Sequence, residues 1–368
     1  MSTFVKTFLE TGTLMSTGPK HILIGYGPRI WLDSPPALPS QQPYFYSPDF
    51  FLQATQPWFV HEFTQEIEIN QLIQDLSRNY DEPPIQHFQW VSPDYTRFQD
   101  SFADLQTRFA SKELQKAVPY VFSSTSQKIT PPILLRSLLS LLKQSLDRSM
   151  YLYGFWNNDQ GILGGSPEIL FSLEKEEVLL LKTMACAGTR KSADQDRLPT
   201  LIDDPKERHE HHLVVEGISQ SLAPFGKVTA GEIGLLKYPS LLHLVTPLQV
   251  ELCSDKDSGV CSQKFETFVR ALHPTPALGA FPKAAGQRWL IDYQTVMPRQ
   301  RYGAPIGYMK PDSGDATCFV AIRNMQWNEQ WTKIGAGCGV VPESNPEREW
   351  LEINAKLNAI KTILALND

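Results

Sequence analysis

Up to about residue 60 the chain sets short apolar runs between Pro, Gly and Ser turn signals, and HILIGYG and IWLDSPP read as strands. Beyond them the period lengthens. Gln65 to Arg78 and the amphipathic stretch Phe102 to Leu114 are predicted helices. Lys116 opens a strand, KAVPYVF. A third helix is marked by Thr130 as a cap, Pro131 at the first helical position and an apolar stripe of Leu134, Leu135, Leu138, Leu141 and Leu142, ending near Arg148. YLYGFWN, SPEILFSL and VLLLKTMACAGT are strand-like, with turns at Asn157 to Gly161 and Glu174 to Glu177. Strands in direct succession pair antiparallel.

Two later helices, Pro205 to about Leu222 and Pro346 to about Ala365, carry their own start signals. Between them lie the irregular loop LHPTPALGAFP and the strand pair CFVAIRNMQW and WTKIGAGCGVV. The sum is an α/β fold of large, mostly antiparallel sheets flanked by helices. Residues 1–105 form an N-terminal part expected to pack into the same fold, and 106–368 hold the candidate chemistry and are expected to be the catalytic region.

Composition narrows the function. With 42% hydrophobic and 20% charged residues the chain is globular. A formal charge of −6 and no long basic run give no footprint for nucleic acid or an anionic membrane. An anionic substrate therefore needs a local cationic cluster. No segment has the apolar length of a membrane span, and Glu10 interrupts any leader-like run, so a cytoplasmic protein is expected. Cysteines 186, 253, 261, 318 and 338 form no CxxC pair, which argues against a disulfide framework or a thiolate zinc site.

Three constellations could carry chemistry. Asp204-Pro205-Lys206-Glu207 and Asn345-Pro346-Glu347-Arg348 are matched helix starts, each with a capping residue and Pro at the first position; Glu207 can complete a capping box. The helices then present Glu210, and Glu349, Glu352 and Lys356 on one face. Acids from two helices would suit Mg²⁺; read alone, acids near a helix start more often serve the helix dipole and face solvent. His209-Glu210-His211-His212 lacks the metalloprotease spacing, because the required second His is Leu213.

In Gly164-Gly165-Ser166-Pro167-Glu168 the glycines permit close approach and Glu168 begins a strand, where burial would raise its pKa; the plainer alternative is a hairpin turn with an exposed Glu. Ala187-Gly188-Thr189-Arg190, Arg323 and Gly335-Ala336-Gly337-Cys338-Gly339 together could hold a carboxylate, or could be strand bulges and a surface Arg. They lack nucleotide-loop spacing.

In order and spacing, GGSPEIL, AGTR, DDPKERHEHHLV, HLVTPL, LHPTPALGAFP, YGAPIGY, FVAIR and GAGCGVVPESNPEREWLEINAK resemble the chorismate-utilising family, which includes isochorismate, salicylate, anthranilate and aminodeoxychorismate synthases. LHPTPA looks like the isochorismate and salicylate branch, and Ala187 stands where aminodeoxychorismate synthases carry a nucleophilic Lys. The resemblance implies a Mg²⁺-dependent isomerase of the isochorismate synthase type acting on chorismate. Its alternatives are an ammonia-using component I, which would take a glutamine amidotransferase subunit, or a salicylate synthase.

The same resemblance implies the roles. Lys116 matches the base that activates water at ring carbon C2, and Glu168 the acid that protonates the departing C4 hydroxyl. Glu210 and Glu352 match Mg²⁺ ligands, with Glu207 and Glu349 as nearby acids. Ala187, Gly188, Thr189, Tyr302, Arg323, Gly337 and Lys356 match substrate-site positions. The chain departs from the pattern at Lys116-Ala117-Val118-Pro119-Tyr120-Val121, where the family usually has Lys-Val-Val-Leu-Ala-Arg, and at Thr295 and Gln300, where it has Glu and Gly; Arg299 and Tyr302 remain. The departures motivate one alternative of another class, a non-catalytic binding protein.

Overall fold

The computed structural model describes residues 3–36, 42–78, 87–146, 150–175, 178–196, 198–238, 241–252, 261–311 and 313–367. Helix α1 (Thr3–Glu10) leads into β1 (Gly12–Ser16), β2 (His21–Leu32), β3 (Tyr44–Tyr46) and β4 (Trp58–Glu68). Helices α2 (Ile69–Ser77) and α3 (Tyr95–Ala110), strands β5 (Lys116–Ala117) and β6 (Tyr120–Thr125), and α4 (Pro131–Ser145) follow. A meander of β7 (Tyr151–Trp156), β8 (Gly161–Ser166), β9 (Ile169–Lys175) and β10 (Leu179–Lys191) runs into α5 (Pro205–Leu222). Then come β11 (Val228–Ala230), β12 (Gly234–Tyr238), β13 (Leu241–Glu251), α6 (Cys261–Leu272), β14 (Ala280–Phe281) and α7 (Lys283–Val296). The chain closes with β15 (Pro305–Met309), β16 (Ala316–Val320), β17 (Asn324–Trp327), β18 (Thr332–Gly337) and α8 (Pro346–Ile363).

Sixteen strands join one sheet in the order β11-β13-β10-β9-β16-β15-β3-β4-β2-β1-β7-β8-β17-β18-β6, with β12 on β13, while β14 and β5 pair apart. Every pairing between these strands is antiparallel. The fold is therefore α/β, with one large antiparallel sheet rather than several, flanked by helices. Strands β1 to β4 stand in the middle of the order, between β15 and β7.

Strand alternation serves two cores. Leu14, Ile22, Ile24, Tyr44 and Tyr46 join the main cluster, with Leu72 and Leu76 of α2 and Leu138 and Leu142 of α4. Their neighbours Met15, Leu23 and Phe45 point to the other face and pack with Phe59, Phe155 and Phe319. Strands buried on both faces lose the apolar–polar alternation, and β1 is buried at every position. Burying one such large side chain is worth about 1.5–3 kcal/mol.

Several element bounds differ from the sequence prediction. Gln65 to Glu68 complete β4, paired with Ile24 to His21 of β2, so the helix starts at Ile69: ladder hydrogen bonds outweigh the local period. HILIGYG and IWL form one strand, interrupted by a register shift between Tyr26 and Arg29. KAVPYVF splits around Val118 and Pro119, with Lys116 and Ala117 pairing to β14 instead of continuing into β6. Helix α3 starts earlier, at Tyr95, because the Asp94 side chain accepts from Thr96 N. Thr130 precedes α4 without a side-chain cap bond. The predicted features at Glu176, Glu177 and Arg148 lie outside the described residues. Helices α1, α6 and α7 were not anticipated.

Two packing choices set up the site. Helix α5 lies on β10 and β13, and α8 on β18, so their starts point into one region beside the end of β10. Among the described residues no helix is long and apolar enough to cross a membrane. Cys186, Cys318 and Cys338 carry free thiols.

Candidate active site

Both helix starts are fixed by their predicted caps. The Asp204 carboxylate accepts from Lys206 N at 3.1 Å and Glu207 N at 3.3 Å, and pairs with Arg190 at 3.1 Å. The Asn345 side chain accepts from Arg348 N at 3.0 Å. The capping box does not form, because Glu207 Oε2 accepts from Thr189 N at 2.9 Å and so ties α5 to the end of β10. The solvent-facing alternative for the acids is overturned: the side chains of Glu207, Glu210, Glu349 and Glu352 are only 13, 7, 3 and 16% exposed.

Cations meet them. Lys206 Nζ lies 3.2 Å from Glu207, 3.2 Å from Glu210 and 3.0 Å from Glu349. Lys116, with no exposed side-chain surface, donates to Pro276 O at 2.8 Å and stands 3.4 Å from Glu210 Oε1. Lys356 donates to Gly337 O at 2.7 Å and pairs with Glu352. Desolvation pushes Glu207 up to about 8 and Glu349 up to about 7, against the pull of Lys206. Burial would raise Glu210 too, but Lys206, Lys116 and Lys356 together hold it below the usual carboxylate range. Burial lowers Lys116, with Glu210 opposing.

A cleft opens above this layer. Glu168, Ala187, Gly188, Thr189, Glu210, Tyr302, Arg323, Gly337, Glu352 and Lys356, all singled out from sequence, line it together. Glu168 is not the start of a strand. It sits in the turn between β8 and β9, 3% exposed, and Ser166 Oγ accepts from its N–H and donates to its carbonyl, each at 3.1 Å. Burial raises its carboxyl to about 8, although Lys116 and Arg323 pull it down, and Oε1 has no hydrogen-bond partner.

Arg323 is buried at φ +57°, a left-handed conformation rare for a side chain of this size, and its Nε has no partner. The strained turn aims an incompletely satisfied guanidinium at the cleft, as carboxylate binding requires. Close to it, His243 is buried and held neutral by desolvation and by Arg323. Arg donates only, so His243 Nε2, 3.4 Å from Arg323 Nη2, accepts and Nδ1 carries the proton toward Thr189 Oγ1 at 3.1 Å. Gly339 marks the tightest approach: a Cβ there would lie 1.9 Å from Glu210 Oε1 and 2.8 Å from Lys116 Nζ.

Some positions in and around the cleft were given no role from sequence. Lys206 is named only within a helix-start motif, and the meeting of two helices buries it among carboxylates. His243 lies in HLVTPL, a block noted without a role. Cys186, Ala277 and Leu278 also line the cleft. The histidines after Arg208 diverge: His209 pairs with Glu343, His211 bonds Ala187 O and Thr246, and His212 lies 4.0 Å from Glu216.

The profile of the family described as chorismate binding enzyme matches residues 45–365. The salicylate biosynthesis isochorismate synthase of Pseudomonas aeruginosa is 36% identical over 212 residues, 55% of this chain and 42% of that protein. Anthranilate synthase component 1 of Saccharolobus solfataricus is 28% identical over 228 residues, 60% of this chain and 52% of that one. The chain thus aligns with about half the length of each relative. The solved structure of MenF, the menaquinone-specific isochorismate synthase of Escherichia coli, superposes with a TM-score of 0.74 at 18% identity, covering 99% of this chain and 91% of that one, and so shares the fold. With the match running from β3 through α8, this chain belongs to the chorismate-binding enzyme family.

Proposed function

We propose that the chain is an isochorismate synthase, an isomerase that uses Mg²⁺ to convert chorismate to isochorismate. What supports this reading most is that Lys116, lowered by burial, and Glu168, raised by it, are both buried and close enough to affect each other electrostatically, as a general base and a general acid for this reaction would need to be. Lys116 Nζ takes a proton from water as its oxygen bonds to ring carbon C2. The ring double bonds shift, and the C4 hydroxyl departs with the proton of Glu168. One water adds and one leaves, so the reaction is a net isomerisation. Arg323 binds a substrate carboxylate, backed by His243, while Tyr302, Gly337 and Lys356 shape the remaining wall. Ala187 lines the cleft where a lysine nucleophile would otherwise stand, which favours water.

Hard carboxylate oxygens from two helices suit Mg²⁺, and three of these acids already gather around one ammonium. Glu210 and Glu352 would hold the ion, with Glu207 and Glu349 beside them. Bound there, it would neutralise a substrate carboxylate that otherwise meets an acidic wall.

The test is product identification after incubation of the pure protein with chorismate and Mg²⁺, with and without ammonia. Isochorismate without pyruvate is expected in both. An aminated product and no isochorismate would overturn the proposal in favour of a component I activity, the second reading supported by the similarity to anthranilate synthase component 1. Pyruvate release would indicate a salicylate synthase. A non-catalytic binding protein would give no turnover.

A further inference from the structure

Three ammonium groups face the acids of α5 and α8, and they are held differently. Lys116 and Lys356 are each anchored by a backbone carbonyl, Pro276 O at 2.8 Å and Gly337 O at 2.7 Å, and their side chains are 0 and 10% exposed. Lys206 Nζ has only carboxylates around it, Glu207, Glu210 and Glu349, and its side chain is 19% exposed. Its stem starts in the first turn of α5, and its side chain is the most exposed of the three. Among the described residues no group of three or more His, Cys, Asp or Glu side chains is arranged as a ready metal cage. The acids are spaced around an ammonium instead.

Lys206 Nζ stands within 3.2 Å of three carboxylates, Glu207 and Glu210 of α5 and Glu349 of α8, and so holds the position between the two helices that a bridging cation would need. A divalent ion added beside Lys206 would crowd two cations among the same oxygens.

We propose that Lys206 is a tethered counter-cation that occupies the divalent metal's place in the metal-free protein and must swing out for the metal to enter. The proposal rests on the magnesium reading above. It makes the metal weakly held by the protein alone, because each entering ion must displace an ion pair already formed. A substrate that brings its own carboxylate tips the exchange, and Lys206 thereby sets the order in which metal and chorismate assemble.

The test uses Mn²⁺ as the probe, without chorismate, followed by the loss of its free electron paramagnetic resonance signal, alongside thermal unfolding in EDTA and in MgCl₂. Wild type is expected to bind Mn²⁺ weakly and Lys206→Met at least tenfold more tightly. In EDTA the Met variant should unfold at a lower temperature than wild type, and Mg²⁺ should restore it. Should the Met variant fail to fold in EDTA, recovery of its fold by Mg²⁺ reads the same exchange, and no recovery counts against it. Lys206→Arg keeps the charge and should bind Mn²⁺ no more tightly than wild type. Equal or weaker Mn²⁺ binding by the Met variant overturns the role of Lys206 and leaves the magnesium reading standing. If no variant binds Mn²⁺, even with chorismate added, both fall.

Discussion

Glu168 is the residue whose environment makes the most specific demand. Its carboxyl titrates at about 8 in the folded protein against an ordinary 4.5, so between those values the folded state holds a proton that the unfolded state has lost. Stability from this group therefore falls as pH rises through that window, by at most ~5 kcal/mol at about 1.36 kcal/mol per unit. Glu168→Gln should flatten the decline in metal-free unfolding free energy between pH 5 and pH 8, and should lower turnover by roughly 10²–10⁴-fold. In the wild type, turnover should drop above about pH 8 as the acid loses its proton. An unchanged pH–stability slope in the variant would sink this account. Gln300 poses a smaller question. It adopts φ +54°, and the family pattern places Gly there, so the position keeps a left-handed backbone while the side chain that suits it is gone. Gln300→Gly should raise stability by about 0.5–1 kcal/mol, read as a higher Tm, without loss of turnover.

At the scale of elements, the caps do more than end-protect helices. Asp204 ties the first turn of α5 to Arg190 of β10, and Glu207, one turn on, ties the same helix to Thr189. Asp204→Ala should cost about 1–2 kcal/mol in unfolding free energy. It should also raise the KM for chorismate, because Thr189 and Glu210 lose their common reference; a stability loss with unchanged KM would limit the cap to a structural role. These starts were legible because Asp-Pro and Asn-Pro before a helical period have one local meaning. The boundary at Ile69 was not, since Gln65 to Glu68 suit either state and only the partner strand decides. Helix α7 follows LHPTPALGAFP, whose Pro and Gly signals dominated the local pattern. Lys206 and His243 were missed for a related reason: a charged residue in a first turn and a His in a strand carry no sign of burial until distant elements meet.

For the whole molecule, the sheet order makes residues 1–105 hard to remove. Strands β1 to β4 fill the gap between β7 and β15, with Gly12 to Met15 pairing β7 and Tyr44 to Tyr46 pairing β15. A chain reduced to residues 106–368 would expose two bare strand edges and the apolar faces that β1 to β4 cover. It should collect in the insoluble fraction on expression, whereas the full chain stays in solution; a soluble fragment with native-like circular dichroism would count against this. The antiparallel α/β class was readable from strands in direct succession, but this interleaving was not, because the pattern says which residues are buried and not by what. The same order has a consequence for biosynthesis. Tyr46 waits 259 residues for its partner strand to begin at Pro305, which at ~5–20 residues per second is roughly 10–50 s on the ribosome. For that interval the nascent chain carries an open edge that its own later sequence must close, so slowing synthesis or removing holding chaperones should lower its yield well before any change in the finished protein's stability.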